Sequence, residues 1–156
     1  MAFKRFRGKT KLLYFRGDTA REVRHGSLVG LNDSASVEPA NNDSLDRVIG
    51  VARRNDTVTD SALVPVEVPV ENAVEWLIDV DSDGGAADSD VGKYCGVDTV
   101  GGASVNAGDS AAMRADVSDT TSPDIFITAR LSGTQIVGVL SRLAWTRTFD
   151  SHDTSR

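Results

Sequence analysis

The chain has 156 residues, 40% of them hydrophobic, and a formal net charge of −6 at pH 7. That length suits one domain with its own core. No apolar run is long enough to cross a bilayer, and no hydrophobic stretch of a secretory signal follows the basic start, so the expectation is a soluble protein made in the cytoplasm. The single Cys95 excludes an intrachain disulfide and a thiolate metal cluster, and is expected as a buried, inert thiol.

Residues 1–11 carry Lys4, Arg5, Arg7, Lys9 and Lys11 and no acid, a local charge of +5 that leaves −11 for the remainder. An acidic body argues against nucleic acid as the main partner, because phosphate binding requires a basic surface of some extent. Residues 1–15 are therefore read as a basic N-terminal arm. Its cations, alternating with Phe3, Phe6 and Leu12, suit an acidic neighbouring subunit, with the aromatics as anchors. The alternative is a frayed terminus.

Within and beyond the arm, Lys11–Arg16 reads as a first strand ended by a turn at Gly17 and Asp18. Glu22–Leu31 is a second extended segment, and residues 32–45 are polar and turn-forming, hence a surface loop. Arg47–Arg53 is a short buried strand.

The most strongly patterned stretch is Leu63–Val80, LVPVEVPVENAVEWLIDV. Val64, Val66, Val68 and Val70 alternate with Pro65, Glu67, Pro69 and Glu71, and Val74, Trp76, Ile78 and Val80 resume the even register. Period-two alternation marks strands with one apolar and one polar face. Prolines donate no backbone N–H, so the first half is expected at a sheet edge, or with its proline nitrogens turned away from any ladder. Pro65, Glu67, Pro69 and Glu71 are the candidate contacts between copies. The acidic series Glu67, Glu71 and Glu75 is either a solvated face or a row that receives basic side chains from an adjacent copy.

Asp79–Asp90, DVDSDGGAADSD, sets Asp79, Asp81, Asp83 and Asp90 at a spacing like that of a calcium loop. The closing residue is aspartate rather than glutamate and the flanks read as strands, so a solvated turn is the competing reading. Further on, Gly92–Val97 is extended, residues 98–110 are glycine-rich turns, and Ala111–Ala115 is the only run with helical propensity. Asp124–Leu131, a hairpin at Ser132-Gly133-Thr134, and Gln135–Trp145 follow as an antiparallel pair. Together these make seven or eight short strands: an all-β small barrel, β-tulip or sandwich with little helix, its body spanning 16–149 and a polar tail 150–156.

Chemistry is not legible along the way. His25 and His152 read as surface imidazoles, Trp76 and Trp145 as core aromatics, and no nucleophile–base pair or phosphate loop occurs in a suitable context. The expectation is a protein that is not an enzyme.

The runs VIGVARRNDTV, VPVEVPVENAVEWLIDVDSDG, ADSDVGKYCGV and QIVGVLSR, spread between Ser27 and Arg142, resemble the capsid decoration or cement proteins of tailed bacteriophages. The resemblance implies a β-barrel or β-tulip body that clusters as a homotrimer on the outside of an expanded shell. Its partner there is the major capsid protein, and it contacts neither nucleic acid nor membrane. The basic arm lies outside the matched pattern; from their own chemistry Phe3, Lys4, Arg5, Phe6, Arg7, Lys9 and Lys11 are the candidate capsid contacts. Two other readings remain: a calcium-dependent carbohydrate- or receptor-binding β module, motivated by the aspartate loop, and a barrel for single-stranded nucleic acid, which the acidic body disfavours.

Overall fold

The computed structural model describes residues 3–17, 23–31, 35–39, 48–54, 63–71, 74–81, 84–99 and 113–141. Its strands are β1 (Phe3–Arg7), β2 (Thr10–Arg16), β3 (Leu28–Leu31), β4 (Val37–Pro39), β5 (Val48–Ala52), β6 (Leu63–Pro69), β7 (Glu75–Asp79), β8 (Tyr94–Thr99), β9 (Met113–Asp116), β10 (Ile125–Ser132) and β11 (Gln135–Leu140). Among the described residues the only helical piece is a 3-10 turn at Asp88–Asp90. The chain is all-β.

The strands form two antiparallel sheets, ordered β1-β7-β11-β10-β8-β9 and β2-β6-β5-β3-β4. Each curls toward closure through a single parallel bridge. Val80, just past β7, meets Ala115 of β9, and Gly17, just past β2, meets Val37 of β4. Curling of this kind shortens the open edge that a flat sheet would expose.

Leu63–Val80 is the spine shared by both sheets. β6 lies in the second sheet and β7 in the first, and the N-terminal strands follow them closely: β2 pairs with β6 from Thr10↔Pro69 to Arg16↔Leu63, and β1 with β7 from Phe3↔Ile78 to Arg7↔Glu75. Residues 3–16 are thus one arm of a long antiparallel ribbon that crosses from sheet to sheet. Its bend lies at Gly8, whose φ of +107° is open to glycine but strained for other residues. The expected free arm is corrected here, because backbone pairing with β6 and β7 holds it against the body.

The expected edge position of the proline strand is also corrected, since β6 lies between β2 and β5. The second part of that expectation explains how this is tolerated. Pro65 accepts the Arg53 N–H at 2.9 Å, so its nitrogen faces β5, and Pro69, four residues on, faces the same way. The paired register between β5 and β6 covers only Val51↔Glu67 and Ala52↔Val66. Neither proline removes a bond to β2, because Tyr14↔Pro65 and Thr10↔Pro69 are non-hydrogen-bonded positions of that ladder.

Alternation along the spine is realised side chain by side chain. Val64, Val66 and Val68 are buried with Val23, Val29, Val37, Ile49 and Ala52 inside the second sheet. Val74, Trp76, Ile78 and Val80 are buried in the first sheet with Phe3, Cys95, Met113, Ile125, Ile127 and Ile136. Leu28, Val48 and Val51 of the second sheet also join this cluster, so the sheets share a seam. Val70, at the bend, is exposed.

Three local expectations differ. Met113–Asp116 is a strand rather than a helical run, because pairing with β8 outweighs the weak helix preference of so short a segment. Val37–Pro39 is a strand inside the expected loop, paired to β3. The extended stretch expected over Glu22–Leu31 narrows to Leu28–Leu31. Trp145, His152, Asp83 and the tail 150–156 lie outside the described residues.

β5 approaches β6 so closely that a Cβ on Gly50 would stand 2.3 Å from the Glu67 carbonyl oxygen. Gly84 has nothing within 4 Å of the same position. Gly50→Ala is expected to lower stability in urea unfolding by about 1–3 kcal/mol, as overpacking does, and Gly84→Ala to stay within about 0.5 kcal/mol of the parent.

Candidate functional site

The acidic row of the spine is where the sheets are joined. Val51 stands opposite Glu67 in the β5–β6 ladder and belongs to the first core cluster, so Glu67 occupies the face of β6 that looks onto the seam. Three groups converge on its carboxylate. Arg53, at the end of β5, forms an ion pair with it; Arg5 of β1 lies at 3.3 Å; and the Thr10 hydroxyl of β2 donates at 2.7 Å. Arg5 also donates to the Thr10 hydroxyl at 3.0 Å. The Arg53 guanidinium reaches further, to the Phe3 carbonyl at 3.4 Å and over the Trp76 ring at 5.9 Å.

The rest of the row is used in the same way. The Lys9 backbone N–H donates to Glu71 at 2.7 Å. Glu75 is buried, paired with Arg7 and accepting from the Thr128 hydroxyl at 2.9 Å. The cations that meet the acidic series are the chain's own. Lys4, Arg5, Arg53 and Glu67 line a shallow, open depression at the seam, which is too exposed to enclose a substrate.

Of the sequence-predicted partner residues, Phe3 is fully buried in the core, while Arg5 and Arg7 are committed to Glu67 and Glu75. Phe6 is exposed, as are Lys4, Lys9 and Lys11, and no ion pair joins these lysines to another described residue. Pro69 is buried and Pro65 half-buried, so neither prolines nor Glu67 present themselves outward as expected for contacts between copies.

Sequence reasoning missed the more exposed feature. Tyr14 is 62% exposed, Leu63 56%, Leu12 49% and Leu13 43%. Leu12 and Tyr14 lie across from Glu67 and Pro65, on the face that carries Leu63. The signal was the run LLYF, which interrupts strict alternation: Phe15 packs onto the second cluster, but its three predecessors remain in water. β2 is an edge strand. The Lys9 carbonyl accepts from Val70, so Lys9, Lys11, Leu13 and Phe15 turn their backbone groups to β6. Thr10, Leu12 and Tyr14 turn theirs outward, where no described strand pairs with them.

The aspartate loop is occupied by protein groups. Asp90 accepts the Ala87 N–H at 2.8 Å and lies 3.6 Å from Lys93; Asp88 pairs with Arg130 at 3.1 Å; and Asp79 accepts from Gln135 at 3.3 Å. Asp81 is half-buried beside them, its backbone N–H bonded to the Ala115 carbonyl. Among the described residues no group of three or more His, Cys, Asp or Glu is placed to hold a metal ion.

Three titratable groups are displaced from their ordinary values. Burial pushes the Cys95 thiol up to about 12, helped by Asp116 and Asp124, which leaves it protonated and unreactive. Asp119 is held down at about 2 by hydrogen bonds with Ser122 and Thr121 in the loop after β9. Partial burial, then the nearby Arg53, lowers His25. No protein-family model matches the chain, and no curated protein or solved structure matches it.

Glu67→Ala leaves the largely buried Arg53 without its carboxylate. It is expected to cost about 1–3 kcal/mol in urea unfolding, whereas the exposed Lys4→Ala changes stability by less than about 0.5 kcal/mol. Because Arg130 and Lys93 already engage the loop carboxylates, adding calcium to chelator-treated protein is expected to leave the melting temperature unchanged. A calcium-dependent rise would favour the calcium module.

Proposed function

We propose that this chain is a fastener of a tailed-phage capsid: a non-enzymatic virion protein, made in the host cytoplasm, that binds the outer surface of the shell and ties neighbouring major capsid proteins together. The observation that carries the reading is the open β2 edge, where Leu12 and Tyr14 stand in water beside Leu63 on one face and Leu13 stands beside Lys11 on the other. Isolated exposed apolar side chains are ordinary, but several of them flanking an unpaired strand edge are the form of an interaction surface.

The rest of the molecule supports the same reading. Two curled sheets locked by a charged seam make a stiff body, and a stiff body loses little freedom when it is held at several points. Copies related by a three-fold axis bring several such edges to one lattice junction, so modest contacts sum. The homotrimer belongs to this proposal.

The test is to mix purified protein with expanded and unexpanded empty heads of the phage that encodes it, and to measure bound protein after sedimentation. Saturable decoration of expanded heads alone, and a trimer by analytical ultracentrifugation, are expected. Binding to neither form, or equal binding to both, would sink the reading.

A further inference from the structure

We infer that the outer edge of β2 receives an extended segment of the partner as an added antiparallel or parallel strand, and that this segment is apolar in the middle and acidic at its end. The inference rests on the fastening role proposed above and names the partner chemistry at that surface.

Backbone direction supplies the first argument. Leu12 and Tyr14 point N–H and C=O away from β6, and no hydrogen bond to another described residue meets them. An added strand pairs with these groups at the ordinary spacing of a sheet. The prolines that punctuate β6 face β5, so they do not guard this side. Beyond Arg16 the bridge from Gly17 to Val37 takes over the edge, which limits the open length to about Thr10–Tyr14.

Side-chain pattern supplies the second. Leu12 and Tyr14 share a face with Leu63, while Lys11 and Leu13 share the other. Residues laid opposite Leu12, Leu13 and Tyr14 gain by being apolar, and those laid opposite Lys11 and Lys9 gain by being acidic. The seam strengthens this preference: Arg5 and Arg7 are already neutralised by Glu67 and Glu75, but no described acid meets Lys9 or Lys11. A second copy pairing through its own β2 fits poorly. The antiparallel registers that match outward backbone groups, centred on Leu12 or on Leu13, set Lys11 against Leu13 or Phe15 and bring no acid to either lysine.

The probe is a fluorescein-labelled peptide amide, Thr-Val-Leu-Val-Glu-Ser-Glu, titrated with the full chain and followed by anisotropy. Saturable binding is expected, weakened about tenfold or more by the double variant Lys9→Glu, Lys11→Glu. Leu12→Pro removes only an outward N–H and is expected to abolish binding while the protein still melts cooperatively. Should that variant misfold, the unaltered protein is tested with a peptide N-methylated at alternate residues in each of the two registers. At least one register is expected to lose binding. Absence of binding at about 1 mM peptide, or equal binding by Leu12→Pro and by both N-methylated peptides, overturns the inference.

The same variants separate the two proposals. Expanded heads decorated equally by Leu12→Pro and the parent chain would overturn the strand-addition inference and leave the fastening role standing. Peptide binding by a chain that decorates no head would overturn the fastening role and leave strand addition standing.

Discussion

The carboxylate of Glu67 holds together parts of the chain that are distant in sequence. Arg5 comes from the first sheet, Thr10 and Arg53 from the second, and Arg53 also covers Trp76 in the first core. A half-buried acid with one partner would be an expense to the fold, because desolvation offsets much of what a single ion pair returns. With several donors it becomes a joint, and the direction of each donor fixes how the sheets meet. Glu75 repeats the arrangement one turn of the ribbon later, with Arg7 and Thr128.

This joint divides the basic N-terminal strands into two populations. Arginines that face the seam are spent on internal carboxylates, and Phe3 is spent on the core. Lys11 and Leu13 on the other face of β2, Lys9 just before it, and Leu12 and Tyr14 further along the strand from Thr10, are left for solvent or for a partner. One short segment therefore does both jobs, and its outward half is held in extended form by its inward half. Such preorganisation lowers the ordering cost of adding another strand.

Much of the fold was legible because alternation is a local signal. The even-numbered residues of Leu63–Val80 are buried as the pattern requires, apart from Val70 at the bend, and the hairpin of β10 and β11 forms where Ser132-Gly133-Thr134 marks it. The burial of Cys95 was legible from residue type alone. What escaped was long-range pairing. Nothing in KRFRGKTKLLYFR shows that its cations meet Glu67 and Glu75, roughly sixty residues away, so a strand pair looked like an arm. For the same reason the prolines suggested an edge: their missing donors were legible, but not that they face the sparsely paired β5 side. The aspartate loop resembles a calcium site in spacing; in the fold Asp90, Asp88 and Asp79 meet Lys93, Arg130 and Gln135, contacts that spacing alone does not show.

The account depends on residues 3–16 being closed on one side and open on the other. Hydrogen–deuterium exchange at single-amide resolution, on the free chain and on chain bound to expanded heads, tests this most directly. In the free chain the amides of Lys11, Leu13 and Phe15 should exchange slowly and those of Leu12 and Tyr14 quickly; on the heads, Leu12 and Tyr14 should slow as well. Slow exchange at Leu12 and Tyr14 in the free chain, or unchanged fast exchange there on decorated heads, would contradict it.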